Sequence, residues 1–169
     1  NILILSEAGK TIIGVRNNNI TQVTIPDCVI TIGENAFSEC TKLRYINIPQ
    51  SVKIIESRAF MNCSSLKGID IPDSITKIGA EAFFCSALQS IDIPNSVTTI
   101  GYAAFDSCYA MKNIKIPSSI TEIAYGTFRR CSALQSINIP NSVTTIHNSA
   151  FFNCSALQNI DIPNSVTTI

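Results

Sequence analysis

Seven cysteines and one histidine are the residues of this chain best suited to covalent or metal chemistry. A thiolate activated by an imidazole would be a nucleophile, and the candidate pair is His147 with Cys131 or Cys154. A zinc site would need clustered Cys and His ligands, and the chain has no C-x-x-C motif. Six cysteines recur at one place in a repeat, which favours a buried structural role. We therefore expect no enzyme activity, no catalytic residue, no metal site and no cofactor.

Seven prolines mark the repeat, and each of them follows an isoleucine. They are Pro26, Pro49, Pro72, Pro94, Pro117, Pro140 and Pro163. Their spacing is 23 residues, except for 22 residues between Pro72 and Pro94. We place that single deletion between Phe83 and Cys85. Such regular spacing predicts a repeat protein.

Apolar residues occupy fixed columns relative to the prolines. A Leu-x-x-Ile-x-Ile run precedes most of the prolines, as in Leu88, Ile91 and Ile93, and Met111 replaces the leucine in one turn. An Ala-Phe pair and then a cysteine follow the proline in nearly every turn. The phenylalanines are Phe37, Phe60, Phe83, Phe105, Phe128 and Phe151. The cysteines are Cys40, Cys63, Cys85, Cys108, Cys131 and Cys154.

These columns predict a solenoid. The isoleucines of x-Ile-x-Ile point to one side of a strand, and proline ends the strand because it has no N–H to donate. One turn cannot bury its own apolar residues, whereas stacked turns with parallel strands ~4.8 Å apart bury them in a continuous core. We expect short strands, and helical turns or tight loops in the Ala-Phe-x-x-Cys stretch, on the opposite side. Gly33, Gly79 and Gly101 precede that stretch, where we expect a positive φ.

The two ends of the chain differ from the repeat. Residues 1–20 contain two short apolar runs around Gly9 and predict a hairpin-like N-terminal cap. Residues 21–169 form about seven turns of the same single domain, the last incomplete. We expect the protein to continue beyond Ile169, and the isolated chain to fray there or to associate end to end, because its last turn has no cap. The residues at that open end are Leu157, Ile160, Ile162, Val166 and Ile169.

The cysteine column raises the question of disulfides. Neighbouring Cα atoms in stacked turns lie ~5 Å apart, which is within bridging range, but side chains of a ladder point the same way. We therefore expect free, buried thiols. Cys28 stands in a column that is serine in the other turns, and we expect it to be the most exposed thiol.

The pattern resembles the BspA-like branch of the leucine-rich repeats over roughly residues 20–169. The segment from Leu88 to Cys108 nearly spells the consensus L-x-x-I-x-IP-x-S-V-T-x-IG-x-x-AF-x-x-C. The resemblance implies a right-handed leucine-rich-repeat solenoid with a parallel sheet on its concave face. It also implies a cell-surface or secreted protein, since members are mostly of that kind and some bind host matrix proteins.

The outward positions of the strands before the prolines vary from turn to turn, and we name these positions the variable face. One column contains Thr24, Asn47, Asp70, Asp92, Lys115, Asn138 and Asp161; the other contains Gln22, Tyr45, Gly68, Ser90, Asn113, Ser136 and Asn159. As candidate ligand-binding residues we select Tyr45, Asn47, Asp70, Asp92, Asn113, Lys115, Asn138 and Asp161. Tyrosine is a favoured interface anchor, and Tyr45 is the only aromatic residue in either column. The alternative is that the polar residues of this face only interact with solvent.

Composition narrows the function further. Twelve basic and twelve acidic residues give a formal net charge of zero, which argues against nucleic acid as a partner. No apolar run is long enough for a membrane helix, and so we expect no membrane insertion. Sequons at Asn19, Asn62 and Asn153 are weak evidence for glycosylation. The rows of threonines suit strand propensity better than ice binding.

We expect a scaffold that binds a protein or glycoconjugate, with host extracellular matrix as one such partner. The alternative is a purely structural spacer of a larger surface protein.

Overall fold

Short strands repeat along the chain and stack turn upon turn into a solenoid. The structure is a computed structural model, and it describes residues 2–169. Within that part of the chain it contains strands and turns and no helix. The strands are β1 (Leu3–Leu5), β2 (Thr11–Val15), β3 (Gln22–Thr24), β4 (Thr31–Ile32), β5 (Tyr45–Asn47), β6 (Ile54–Ile55), β7 (Lys77–Ile78), β8 (Ser90–Asp92), β9 (Thr99–Ile100), β10 (Asn113–Lys115), β11 (Glu122–Ile123) and β12 (Thr145–Ile146).

The strands that precede the prolines carry the variable face. β3 pairs with β5 and β8 pairs with β10, both in parallel. In each pair the residues of one column lie opposite each other, as Ile91 lies opposite Ile114. Single parallel bridges continue the row from Lys115 to Asn138 and from Asn138 to Asp161. The repeat therefore places equivalent residues side by side, as the sequence predicts.

A second series of strands follows the prolines on the other side of the turn. β4, β6, β7 and β9 form one parallel sheet, and β11 pairs with β12 in a separate one. The antiparallel hairpin of β1 and β2 extends the larger sheet, because β2 pairs with β4. In this hairpin Ile12 is fully buried and lies opposite Ile32, in line with the isoleucine column.

The Ala-Phe-x-x-Cys stretch consists of tight turns that form their own ladder, rather than a helix. In the first repeat the N–H groups of Asn35, Phe37 and Glu39 donate to carbonyl oxygens of the next turn, at 2.8–3.1 Å. The N–H groups between them donate within the turn, as Ser38 does to the carbonyl of Asn35. Every second main-chain donor therefore joins two turns.

The glycine column does not have the positive φ that we expected. Positive φ occurs instead just before the alanine and two residues after the phenylalanine, for example at Asn35 (φ 56°) and Glu39 (φ 61°). Glycine is favoured at these three positions because the turns approach closely there, although Glu56, Ala124 and His147 occupy the column in other turns. A Cβ atom on Gly33 would lie 2.5 Å from the carbonyl oxygen of Ile12, and one on Gly101 would lie 2.4 Å from the nitrogen of Ala80.

The short repeat has its deletion after Ser86, not between Phe83 and Cys85. Cys85 has the positive φ (54°) of the position two residues after phenylalanine, and its N–H donates to the next turn. Ser86 is buried, and its N–H donates to the carbonyl of Phe83, as Cys40 does to Phe37. Ser86 therefore takes the cysteine position in this turn, and Cys85 lies outside the column.

A stack of phenylalanine rings runs through the core. Consecutive rings from Phe37 to Phe151 lie 5.3–5.8 Å apart between centroids and are nearly parallel, at 2–14°. The isoleucine and leucine columns are buried around them. Ile71 in the third turn is only partly buried, and the last turn differs most, with Ile162 and Ile169 exposed. Each ring of an inner turn thus depends on the turns before and after it for burial.

Replacing one inner ring tests this arrangement. We predict that Phe105→Ala lowers the free energy of unfolding by about 3–5 kcal/mol, because it removes a fully buried side chain and leaves a cavity between Phe83 and Phe128. Phe152→Ala, at a half-exposed ring outside the stack, is the matched control and should cost less than about 1 kcal/mol. Urea denaturation of both variants measures the difference. Equal costs would mean that the stack is not the core.

Candidate binding face

All fourteen residues of the two variable columns are exposed, and the residues between them are buried, except that Ile160 in the last turn is partly buried. On β5, for example, Tyr45 and Asn47 are exposed while Ile46 between them is 2% exposed. The same alternation holds on β8 and β10. The structure therefore places all eight candidate residues on one surface of the solenoid, along the strands that precede the prolines.

Strand register decides which candidates are neighbours. Asp92 on β8 lies opposite Lys115 on β10, and Lys115 is bridged to Asn138, which is bridged to Asp161. Tyr45 and Asn47 lie further along the solenoid, opposite Gln22 and Thr24. The ion pairs within residues 2–169 are Arg58–Glu81 and Lys77–Glu56, and His147 hydrogen-bonds to Glu122, so that none of these contacts neutralises the charges of this face.

Three shallow cavities lie along the face. One of about 360 Å³ lies beside Tyr45 and is lined also by Ile2, Val23 and Pro26. Two others, of about 250 and 350 Å³, share Asp92 as a lining residue. The first of these two also contacts Asp70, and the second contacts Lys115. The face is therefore uneven, with shallow cavities into which the side chains of a partner could fit.

The segment before the proline of the third turn has neither a paired strand nor a bridge to its neighbours, whereas the equivalent segments of the sixth and seventh turns keep single bridges. Residues 68–71 belong to no strand, and their N–H and C=O groups have no main-chain partner in the described structure, although the N–H of Gln89 donates to the carbonyl of Lys67. The alternation of outward and inward residues in the sequence did not indicate this interruption. Gly68 was the available signal, because glycine weakens a strand and gives no side chain to pack.

Asp73 is a further feature of the face that the sequence did not indicate. It lies outside the two columns, on the position after Pro72, and is exposed. It lines the same cavity as Asp92 and Lys115. In the sequence, outward-facing residues were identified only by their alternation along the strand. Asp73 follows the proline that ends the strand, so this alternation does not include it.

The column cysteines form buried hydrogen bonds instead of a reactive group. Sγ of Cys63, Cys108 and Cys131 donates to the phenylalanine carbonyl of the preceding turn, at 3.2 Å in each case. Burial raises the pKa of Cys108 to about 12, and that of Cys40 to about 11. These thiols are therefore protonated at neutral pH.

The single histidine lies apart from the thiols. His147 is exposed, and its Nε2 lies 3.1 Å from Oε2 of Glu122. Cys154, the nearer candidate in sequence, is buried and donates to the carbonyl of Phe128 at 3.0 Å. The Cys–His pair that the sequence allowed is not assembled. Within residues 2–169 the structure also has no group of three or more His, Cys, Asp or Glu residues that could hold a metal ion.

In the described part of the chain, no helix is long and apolar enough to cross a membrane.

Stacked parallel strands, buried Leu and Ile columns and one variable strand face define a leucine-rich-repeat solenoid. The family model described as "BspA type Leucine rich repeat region (6 copies)" matches residues 15–134 and 84–169. The chain belongs to this BspA-type leucine-rich-repeat family, whose solenoids are generally non-enzymatic scaffolds.

Solved structures of bacterial leucine-rich-repeat proteins are similar to the chain. The protein from Bacteroides ovatus ATCC 8483 is 34% identical with a TM-score of 0.89, over 98% of this chain and 45% of that protein. The T. pallidum leucine-rich-repeat protein is 34% identical with a TM-score of 0.77, over 82% of this chain and 65% of that protein.

A leucine rich cell surface protein from Faecalibacterium prausnitzii A2-165 is 29% identical with a TM-score of 0.59, over 88% of this chain and 55% of that protein. The chain spans 45–65% of the length of these three proteins. Among curated proteins, none matches it.

Thiol labelling in the native state tests the burial of the cysteines. We predict that N-ethylmaleimide at neutral pH modifies exposed Cys28 first and half-buried Cys85 more slowly. The five buried column cysteines should react only after denaturation, because burial keeps them both inaccessible and protonated. Peptide mapping by mass spectrometry identifies the labelled residues, and a Cys28→Ser variant isolates the slower reaction of Cys85. Native labelling of Cys108 or Cys131 at the rate of Cys28 would contradict the structure.

Proposed function

We propose that this protein is a non-enzymatic binding scaffold that acts at a cell surface and engages a protein or glycoconjugate partner through the variable face. The observation that carries the proposal is the contrast between two sets of positions on the same strands. Positions that point inward are buried and keep the same residue types, whereas positions that point outward are exposed and differ from turn to turn. A solenoid can vary such a face without disturbing its core.

Tyr45 is the proposed anchor of the contact. Its side chain is 55% exposed and adjoins the cavity of about 360 Å³. Tyrosine provides a large contact area at low conformational cost, which is why it is enriched at interface centres. Along the row, Asp70, Asp92 and Lys115 provide charge, and the remaining candidates are amides or acids that hydrogen-bond.

The description of one relative and the family resemblance support a surface location and an extracellular partner. The F. prausnitzii relative is described as a cell surface protein. The present chain spans about half of the length of that relative. A role in a longer surface protein is therefore included in the proposal. Host extracellular matrix is the partner class that the family resemblance implies.

A spacer that carries other domains is the second candidate. It is favoured by the continuous hydrogen-bonded ladder, which makes the solenoid a stiff element, and by the share of the relatives' length that the chain leaves uncovered. A spacer needs no particular side chain on the variable face. Substitutions on that face therefore separate the two candidates.

The test uses immobilised collagen, laminin and fibronectin as probes. We predict that the chain binds at least one of them and that Tyr45→Ala, or Asp70→Ala with Asp92→Ala, weakens binding by about 1 kcal/mol or more. Tyr109→Ala is the matched control, because Tyr109 is also 55% exposed but lies off the variable face. Surface plasmon resonance gives the affinities, and circular dichroism checks the fold.

The outcomes separate the candidates. Binding that Tyr109→Ala preserves and the face variants lose supports the scaffold. Binding that no face variant changes, or no binding to any probe, would favour the spacer.

A further inference from the structure

A row of basic residues lies along the entry to the strands of the variable face. The position five residues before each proline is exposed in every turn. The column contains Thr21, Arg44, Lys67, Gln89, Lys112, Gln135 and Gln158. Its three charged members are all cations, and no acid interrupts the row. We name Arg44, Lys67 and Lys112 the basic band.

Acidic residues lie along the other half of the same face. They occupy the columns two residues before and one residue after the proline, and all are exposed. They are Asp27, Asp70, Asp73, Asp92 and Asp161, and we name them the acidic band. Lys115 is the one cation in these two columns. Although the net charge of the chain is zero, its basic band and its acidic band occupy separate parts of this face.

The separation has a defined geometry. The two bands occupy positions three residues apart, such as the positions of Arg44 and Asn47 beside and on β5, and three residues of extended chain separate such positions by ~10 Å along the strand direction. Successive turns repeat every ~5 Å, so that each band runs along the solenoid axis and across the strands. The two bands are therefore parallel lines of opposite charge.

Neither band is neutralised within the chain. The ion pairs that residues 2–169 form all lie elsewhere, and none includes a member of either band. Two of the three cavities of the face lie on the acidic side: Asp70 and Asp92 line one, and Asp73 and Asp92 line the next together with Lys115. A lysine or arginine side chain from a partner would enter the first of these two cavities between two carboxylates.

We propose that the variable face selects a polypeptide partner that presents basic side chains to the acidic band and acidic side chains to the basic band. This inference rests on the proposed function and narrows it from protein or glycoconjugate to protein. A sulfated glycan carries only negative charge and would meet repulsion along the whole acidic band. A polypeptide can carry both signs at the required separation.

The experiment is a selection of random twelve-residue peptides, displayed on phage, against the immobilised chain at low salt. Enriched peptides are synthesised, and their Kd is measured on the wild-type chain and on two band variants. The first variant is Lys67→Gln with Lys112→Gln, and the second is Asp70→Asn with Asp92→Asn. Lys10→Gln with Lys53→Gln and Glu7→Gln with Glu34→Gln remove equal charge from exposed positions off the face and are the controls.

Enriched peptides should contain both acidic and basic residues. Each band variant should weaken their binding about threefold to tenfold, whereas the controls should leave it unchanged. Binding should fall in 1 M NaCl, because exposed charge pairs are screened. Heparin, as a polyanion, should bind the Asp70→Asn with Asp92→Asn variant more strongly than the wild-type chain.

Other outcomes would overturn the inference. Peptides of one charge sign that still depend on Tyr45 would leave the binding face in place and remove the charge selection. Heparin binding by the wild-type chain that Lys67→Gln with Lys112→Gln abolishes would identify a polyanion site instead. If no selected peptide depends on any residue of the face, the proposed function fails as well.

Discussion

The burial of one phenylalanine ring per turn is the constraint on which the rest of the structure depends. A single 23-residue turn has no interior, and so its ring is buried only when another turn lies on each side. The rings stack nearly parallel at 5.3–5.8 Å, which is close to the rise that main-chain bonds between strands require. The ring stack and the hydrogen-bonded ladder therefore have similar spacings and reinforce each other.

That common spacing explains the other fixed columns. At the glycine column the turns come so close that a Cβ on Gly79 would lie 2.5 Å from the nitrogen of Ser57. The buried thiols donate to carbonyls of the preceding turn, which satisfies acceptors beside the ring stack. The ring and thiol positions accept few residue types, whereas the glycine column also holds Glu56, Ala124 and His147 and the exposed positions on the strands vary most. Stacking at a fixed spacing constrains the interior positions and leaves the outward positions free to vary. This freedom is the physical basis for proposing a binding function.

Much of the fold could be predicted from the sequence, because identical apolar columns recur with one period. The buried columns, the parallel strands and the pairing of equivalent residues such as Ile91 and Ile114 all follow from periodicity. The errors arose where a residue type had two physical explanations. Glycine was expected to provide positive φ at Gly33 but is required there by close approach, and Cys85 matched the column by type although its backbone belongs to another position.

The candidate face could be predicted only in part. Alternation identified which side chains point outward, and the structure places Tyr45, Asp70 and Lys115 accordingly. It could not show the cavities, which depend on the relief between neighbouring side chains, nor the loss of pairing at residues 68–71. Asp73 was missed because contacts beyond the proline depend on how the chain bends there.

Native-state hydrogen exchange tests the central claim, that the phenylalanine segments hold the turns together, most directly. The N–H groups of Phe60 and Phe83 each donate to the next turn at 2.8 Å, whereas those of Asp70 and Ile71 have no main-chain acceptor in the described structure. The account predicts that the phenylalanine amides exchange only through global unfolding, with the free energy measured by denaturation, and that the amides of Asp70 and Ile71 exchange far faster. Exchange of the Phe60 and Phe83 amides through local openings, as fast as at Asp70, would contradict it.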